Sequence, residues 1–395
     1  MVEVRHKRSR SSLLDWSRAL LRDDKERLGS HKTLHATLCG LTAIAISVLT
    51  LWPFDFFRAN GVAWIVQTNG IRFDGPGVVV GERPLSTPRV NTDSCTLEIL
   101  LRPAQIRSLH TILSFYTPSD PRQLMIRQLN DGLLLSHDFA GAQNGLKTVK
   151  VGVDHIFQQG RIVLITITYG VNGLAVYTDG EQRRVAFNFP ISQADFAGQI
   201  ILGTSPVHYD PWLGEVHGLA VYSRELTPAE VRRHYQNWTF EGGFRPLDRD
   251  GAIALYSFSE RAGQRVRNDV ASSPDLQMPE RFVVPHKPFL QSPKEHFEAN
   301  WYYLHDVLVN IAGFVPLGFL LCSYLARTRN GRQAVLFAIL AGGTLSFIIE
   351  VLQAYIPQRD SGMTDVITNT LGTALGAAIG LRVVSSINSV VNRTT

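Results

Sequence analysis

Cysteine is almost missing from this chain: 395 residues carry three, Cys39, Cys95 and Cys322. Neither a disulfide framework nor a cysteine-based metal spacing can be built from them. Cys39 and Cys322 fall inside apolar runs, so a soluble part must be held by its own core. Charge is sparse as well. Charged residues make up 18% of the chain and the net charge is +5. The basic side chains cluster at the N-terminus (Arg5, Lys7, Arg8, Arg10) and in a short loop (Arg327, Arg329, Arg332). Such clusters orient membrane helices and do not make a nucleic-acid footprint, so no nucleic-acid partner is expected. A paired Glu/Asp signature of the glycosidase kind is also lacking, which argues against sugar hydrolysis.

What is present is two populations. Mean hydropathy is +0.01, an average over long apolar runs near the start and in the last quarter and a polar middle. Residues 1–33 read as a basic cytoplasmic tail, with an amphipathic pattern from Leu13 to Leu28. Residues 34–53 hold no charge and are long enough to cross a bilayer. The missing small-x-small cleavage site favours a retained helix over a signal peptide. Trp52, Phe54, Phe56 and Phe57 form an aromatic belt where it ends.

Residues 60–285 alternate apolar and polar in short runs between Gly, Asp, Asn and Pro turns. Strands are expected at 94–102, 111–116, 123–129, 133–137, 162–169, 174–178, 199–202 and 215–222. Many short strands with turn signals predict an all-β sandwich. One helix is expected at 227–238, with Thr227 as N-cap and Pro228 in its first turn. Residues 286–303 are a Pro-containing linker ending in Trp301, Tyr302 and Tyr303. Three spans of membrane length follow, 304–326, 334–356 and 364–386. The arginine-rich loop marks the cytoplasmic side, so both termini are expected inside and the β domain outside a bacterial plasma membrane.

That topology brings three acid–amide pairs to one level. Asp306 and Asn310 lie a turn apart on the second span, Glu350 and Gln353 near the end of the third, Asp365 and Asn369 at the start of the fourth. Arg359 lies in the loop between. Ionisable groups cost roughly 2.5–3.5 kcal/mol each at a bilayer centre, so such a cluster is a functional-site candidate. Glu350 and Asp365 are the candidate acid–base pair, and Arg359 has the fork to take a phosphate or carboxylate. Asp306, Asn310, Gln353 and Asn369 complete the candidate ligand site. The same residues also fit a hydrogen-bond network that glues helices together. Glycines 372, 376 and 380 continue the Asp365–Asn369 face, where small residues allow close helix packing. In the middle region Trp212 and Tyr209, in a Pro/Asp-rich loop, are candidates to stack on a sugar, or else to pack in the core. No metal site is read from cysteine or histidine spacing. Asp74, Asp179 and Asp210 are the candidates for Ca²⁺, and turn formation is the competing role.

Two resemblances follow from particular motifs. W-L-G-E-V-H-G-L-A-V-Y-S-R-E-L-T-P-A-E-V-R-R-H-Y (212–235), I-R-F-D-G (71–75) and T-L-E-I-L-L-R (96–102) resemble the closing and early strands of the laminin-G-like, concanavalin A-like jelly roll. The segment 254–270, which usually opens that domain, follows the helix here, so the domain is expected to be circularly permuted. D-V-L-V-N-I-A-G-F-V-P-L-G (306–318), residues 350–376 and L-W-P-F-D (51–55) resemble the VanZ-like family of four-helix membrane proteins. Together they imply a four-helix transmembrane α bundle with an inserted β-sandwich. They also imply a cell-envelope protein that binds carbohydrate or protein, with a family link to glycopeptide antibiotic resistance. Its partners would be a membrane lipid or lipid-linked envelope precursor and a cell-wall glycan or envelope protein. Three roles remain open: a recognition protein, an enzyme on a lipid-linked substrate, and a structural membrane protein.

Overall fold

The computed structural model describes residues 33–394 apart from 86–93, 107–108, 119, 141–145, 188, 190, 241–250, 271–272 and 298–299. The expected tail helix at 13–28 lies outside the described residues. The chain divides into two units, one formed by 1–55 with 288–395 and the other by 56–287.

The second unit is an antiparallel β-sandwich. Its first sheet runs β1 (Val62–Trp64), β2 (Ile71–Phe73), β13 (Gly214–Tyr222), β4 (Cys95–Pro103), β9 (Val163–Gly170), β10 (Gly173–Thr178), β11 (Glu181–Ala186), with β14 (Ala252–Tyr256) also on β13. The second runs β15 (Arg265–Val266), β16 (Leu276–Gln277), β3 (Val79–Gly81), β12 (Gln199–Leu202), β5 (Leu109–Thr117), β6 (Asp120–Leu129), β7 (Gly132–Ala140), β8 (Leu146–Val153). Every strand read from alternation is present. The short or polar ones, such as β8 and β11, carry too little apolar pattern to be read that way.

Alternation explains the layers. On β4, Leu97, Ile99 and Leu101 point into the core between the sheets, as do Val163, Ile165 and Ile167 on β9. The opposite faces of these strands are buried too. Helix α2 (Pro228–Phe240) covers them, packing Val231 and Trp238 on Leu100, Leu164 and Tyr222. A capping box starts that helix: Glu230 accepts from the Thr227 amide at 2.7 Å and the Glu230 amide donates to Thr227 Oγ1 at 3.3 Å. The two ends of the unit lie side by side, with the Asn60 amide on the Glu280 carbonyl and the Phe282 amide on the Arg58 carbonyl.

Among the described residues the first unit holds four helices long and apolar enough to cross a membrane: α1 (Thr33–Leu51), α4 (Trp301–Leu325), α5 (Gly331–Ala354) and α6, of which Met363–Ile387 is the apolar stretch. A short turn of helix, α3 (Pro293–His296), precedes α4. Asn300 and Asn330 cap α4 and α5 by accepting from the Tyr303 and Gln333 amides. α4 and α6 run parallel at very close range. A methyl group placed on Gly372, Gly376 or Gly380 would meet the carbonyl oxygens of Ile311, Val315 and Phe319 in turn. The glycine stripe therefore lets one helix backbone lie on another.

Candidate functional site

The polar residues of the bundle gather around the segment between α5 and α6. Glu350, on the last turns of α5, is 2% exposed. Its carboxylate accepts from the Gly362 amide at 2.9 Å, and its backbone carbonyl accepts from Ser361 Oγ at 3.0 Å. Gln353, one turn on, donates to the Thr50 carbonyl at 2.9 Å. Arg359 donates through Nε to the Trp52 carbonyl at 2.9 Å and reaches the Leu49 carbonyl at 3.5 Å. The last carbonyls of a helix have no partner within it, and here two side chains from another helix and its loop supply donors.

On α6, Asp365 accepts from Asn310 Nδ2 at 2.9 Å. Asn369 is buried and donates to Ser346 Oγ at 2.9 Å. The carbonyl of Gly362 also accepts from the Asp365 amide at 3.2 Å. Gly362 thus touches both carboxylate-bearing residues through its backbone.

Asp306 stands apart from this cluster. Its side chain is 78% exposed and its neighbour is His305, at 3.6 Å. The reason is where α6 begins. Asn310, one turn further along α4, is the residue that meets Asp365 in the first turn of α6. Arg359, the expected anion fork, directs Nε and Nη2 towards backbone carbonyls. Two partners were invisible from spacing: Ser361 and Gly362. They lie in a loop without periodicity, and only the return of the loop onto α5 brings them to Glu350.

In the β unit, Trp212 is 1% exposed, edge-on to Phe73 at 5.8 Å, and its indole N–H donates to Gln128 Oε1 at 2.7 Å. It is a core residue, with no face left for a sugar. The apolar ring is drawn into the sandwich and Gln128 satisfies its one donor. Tyr209 packs edge-on against Phe282 at 5.8 Å. The three aspartates considered for Ca²⁺ are each met by an arginine. Asp74 faces Arg72 at 3.9 Å, Asp179 faces Arg161 at 2.9 Å, and Asp210 faces Arg127 at 3.0 Å. Among the described residues no group of three or more His, Cys, Asp or Glu is placed to hold a metal.

A second polar cluster lies beneath α2. Glu98 on β4 is fully buried and accepts from Thr166 at 3.2 Å, Tyr222 at 3.3 Å and His234 Nδ1 at 2.9 Å. Sequence spacing had given no sign of it, since 136 residues separate Glu98 from His234.

Residues 252–384 match the VanZ/LLP1 family, and residues 81–232 match the Concanavalin A-like lectin/glucanases superfamily. The chain therefore joins a VanZ-like region to a concanavalin A-like, laminin-G-like β domain. It is a membrane protein by its four apolar helices.

Among solved structures, the chain is similar to the native heptameric SAP-like pentraxin from Limulus polyphemus. Identity is 14%, with 57% of this chain and 97% of that one covered, at a TM-score of 0.35. It is also similar to a Bacteroides ovatus ATCC 8483 protein described as carbohydrate binding, at 14% identity, 55% and 61% coverage and a TM-score of 0.37. The receptor binding domain of botulinum neurotoxin D is similar at 11% identity, 51% and 50% coverage and a TM-score of 0.36. No curated protein matches the chain.

Proposed function

We propose that the protein is a membrane-held binding protein of the bacterial cell envelope. Its β unit recognises an envelope glycan or protein outside the plasma membrane, and its helices anchor that unit with both termini in the cytoplasm. The arginines between α4 and α5 support this orientation. The observation that carries the reading is how the cluster spends its donors. Arg359 is engaged by Trp52 and Leu49, Gly362 by Glu350, and Asn310 by Asp365. Such a network holds helices and loop in one arrangement, which is what an anchor requires. Trp212, buried in the core, is not part of the proposed glycan surface.

An enzymic reading keeps one supporting feature. Gly362 bridges the backbone of Asp365 and the carboxylate of Glu350, which brings two acids close to one loop. On that reading Glu350 and Asp365 act as acid and base on a lipid-linked envelope precursor.

Alanine substitutions at Glu350, Arg359 and Asp365 distinguish the two in the native host. The readouts are folding of the purified protein and cellular susceptibility to a glycopeptide antibiotic. The anchor reading expects tolerance to fall only as far as folding stability falls, least for the partly exposed Arg359. Loss of tolerance in a variant that folds like the wild type overturns it in favour of chemistry. Mass spectrometry of lipids co-purified with wild type and Arg359→Ala identifies any lipid-linked partner.

A further inference from the structure

Residues 355–362, the short segment between α5 and α6, are held by two other stretches of the helical unit, the end of α1 with the residues after it and Gln291. On the outgoing side, Arg359 donates to the Trp52 carbonyl at 2.9 Å, and Gln353, just before the segment, donates to the Thr50 carbonyl at 2.9 Å. Gln358 makes a long contact with Asp55 at 3.5 Å. On the returning side, Gln291 pairs in parallel with Gly362. The Gln291 amide donates to the Ser361 carbonyl at 3.0 Å, and its own carbonyl accepts from the Met363 amide at 3.0 Å.

The residues that receive this pairing are the ones that hold Glu350. Ser361 Oγ donates to the Glu350 carbonyl at 3.0 Å, and the Gly362 amide donates to its carboxylate at 2.9 Å. Ser361 and Glu350 are buried, so water is not at hand to replace a bond that opens. Within the β unit the two ends are also hydrogen-bonded to each other, through Asn60 with Glu280 and Phe282 with Arg58. They therefore leave that unit as a pair.

We infer that residues 355–362 form a strap that couples the returning chain at Gln291 to Glu350. A displacement of the returning chain at Gln291 reaches the carboxylate through two backbone bonds and the Gly362 amide. The coupling runs both ways, because a linkage free energy has no direction. It does not depend on whether the polar cluster anchors the helices or does chemistry. Its test is accordingly read in the backbone and not in activity.

The experiment is hydrogen–deuterium exchange on the full chain in lipid nanodiscs, comparing wild type, Gln291→Pro and Gln291→Ala. Proline removes the N–H that donates to Ser361, whereas alanine keeps both backbone bonds. The Gly362 and Met363 amides are expected to exchange about tenfold faster in the proline variant and unchanged in the alanine variant. Unchanged exchange in a folded proline variant overturns the strap. Wild-type protein supplies a second measurement that needs no substitution. Across a denaturant series, the amides of Gln291, Gly362 and Met363 are expected to open with one common free energy. Separate openings for Gln291 and Gly362 overturn the inference even where the proline variant does not fold.

Discussion

Arg359 Nε donates to the carbonyl of Trp52 at 2.9 Å, across 307 residues of sequence. An arginine placed like this in a membrane-edge loop suggests an anion site. Its partner is the carbonyl end of α1, where a cation is also favoured by the helix dipole.

This predicts that Arg359→Ala loosens α1 from α5 by about 1 kcal/mol, the size of a partly exposed charge-assisted hydrogen bond. Lysine is expected to rescue only in part, since it lacks the fork that spans two carbonyls. The measure is the rate of disulfide trapping between Thr50→Cys and Gln353→Cys, with and without the Arg359 substitution. An unchanged rate would refute the capping role.

The glycine stripe predicts a graded series. Gly376→Ala would place its methyl on the Val315 carbonyl oxygen, a backbone atom that cannot rotate away. A cost of about 1–3 kcal/mol is expected as α4 and α6 are pushed apart. Gly380→Ala, whose methyl would lie 2.8 Å from the Phe319 carbonyl oxygen, is expected to cost less. At Gly313 nothing lies within 4 Å, so alanine there is expected to be neutral or slightly stabilising. Thermal unfolding in one detergent ranks the three.

Beneath α2, His234→Ala would leave the fully buried Glu98 carboxylate short of its imidazole donor at 2.9 Å. Breaking a buried pair in this way costs about 3–5 kcal/mol. Replacing both residues by leucine is expected to cost less than the single change, because no buried polar group is then left without its partner. Denaturant unfolding followed by tryptophan fluorescence tests this order.

Glu230 predicts an acid-sensitive helix start. Partial burial pushes its carboxyl up, but hydrogen bonds from Arg224, the Thr227 amide and the Thr227 hydroxyl outweigh this and bring it down to about 2. The unfolded value is about 4.3. A carboxylate lowered on folding adds stability above its unfolded pKa and loses it as pH falls through the folded one. The contribution of Glu230 is therefore present above about pH 4.3 and fades towards pH 2. Glu230→Ala is expected to cost about 1 kcal/mol at neutral pH and to be indistinguishable from wild type at pH 2. Stability curves of both proteins across that range check the sign.

The four apolar helices and eight of the strands were legible because their signals are local. An apolar run of bilayer length, or alternation over four to nine residues, needs no knowledge of the rest of the chain. The acid–amide pairs on α5 and α6 were legible for the same reason, as was the glycine stripe. Thr227 announced its helix, although Glu230, three residues on, completes the cap.

Tertiary structure alone decided the partners. Trp212 reads as a loop aromatic, and only the closing of the two sheets buries it against Phe73 and gives its N–H to Gln128. Asp306 and Asn310 share a helix face, yet the starting point of α6 separates their fates. Arg359 meets Trp52, and Gln291 meets Gly362, because the chain leaves and returns on the same loop. Periodicity is a property of neighbours along the chain and so can be read from it. The partner of a buried charge is a property of neighbours in space, and folding chooses it from hundreds of residues away.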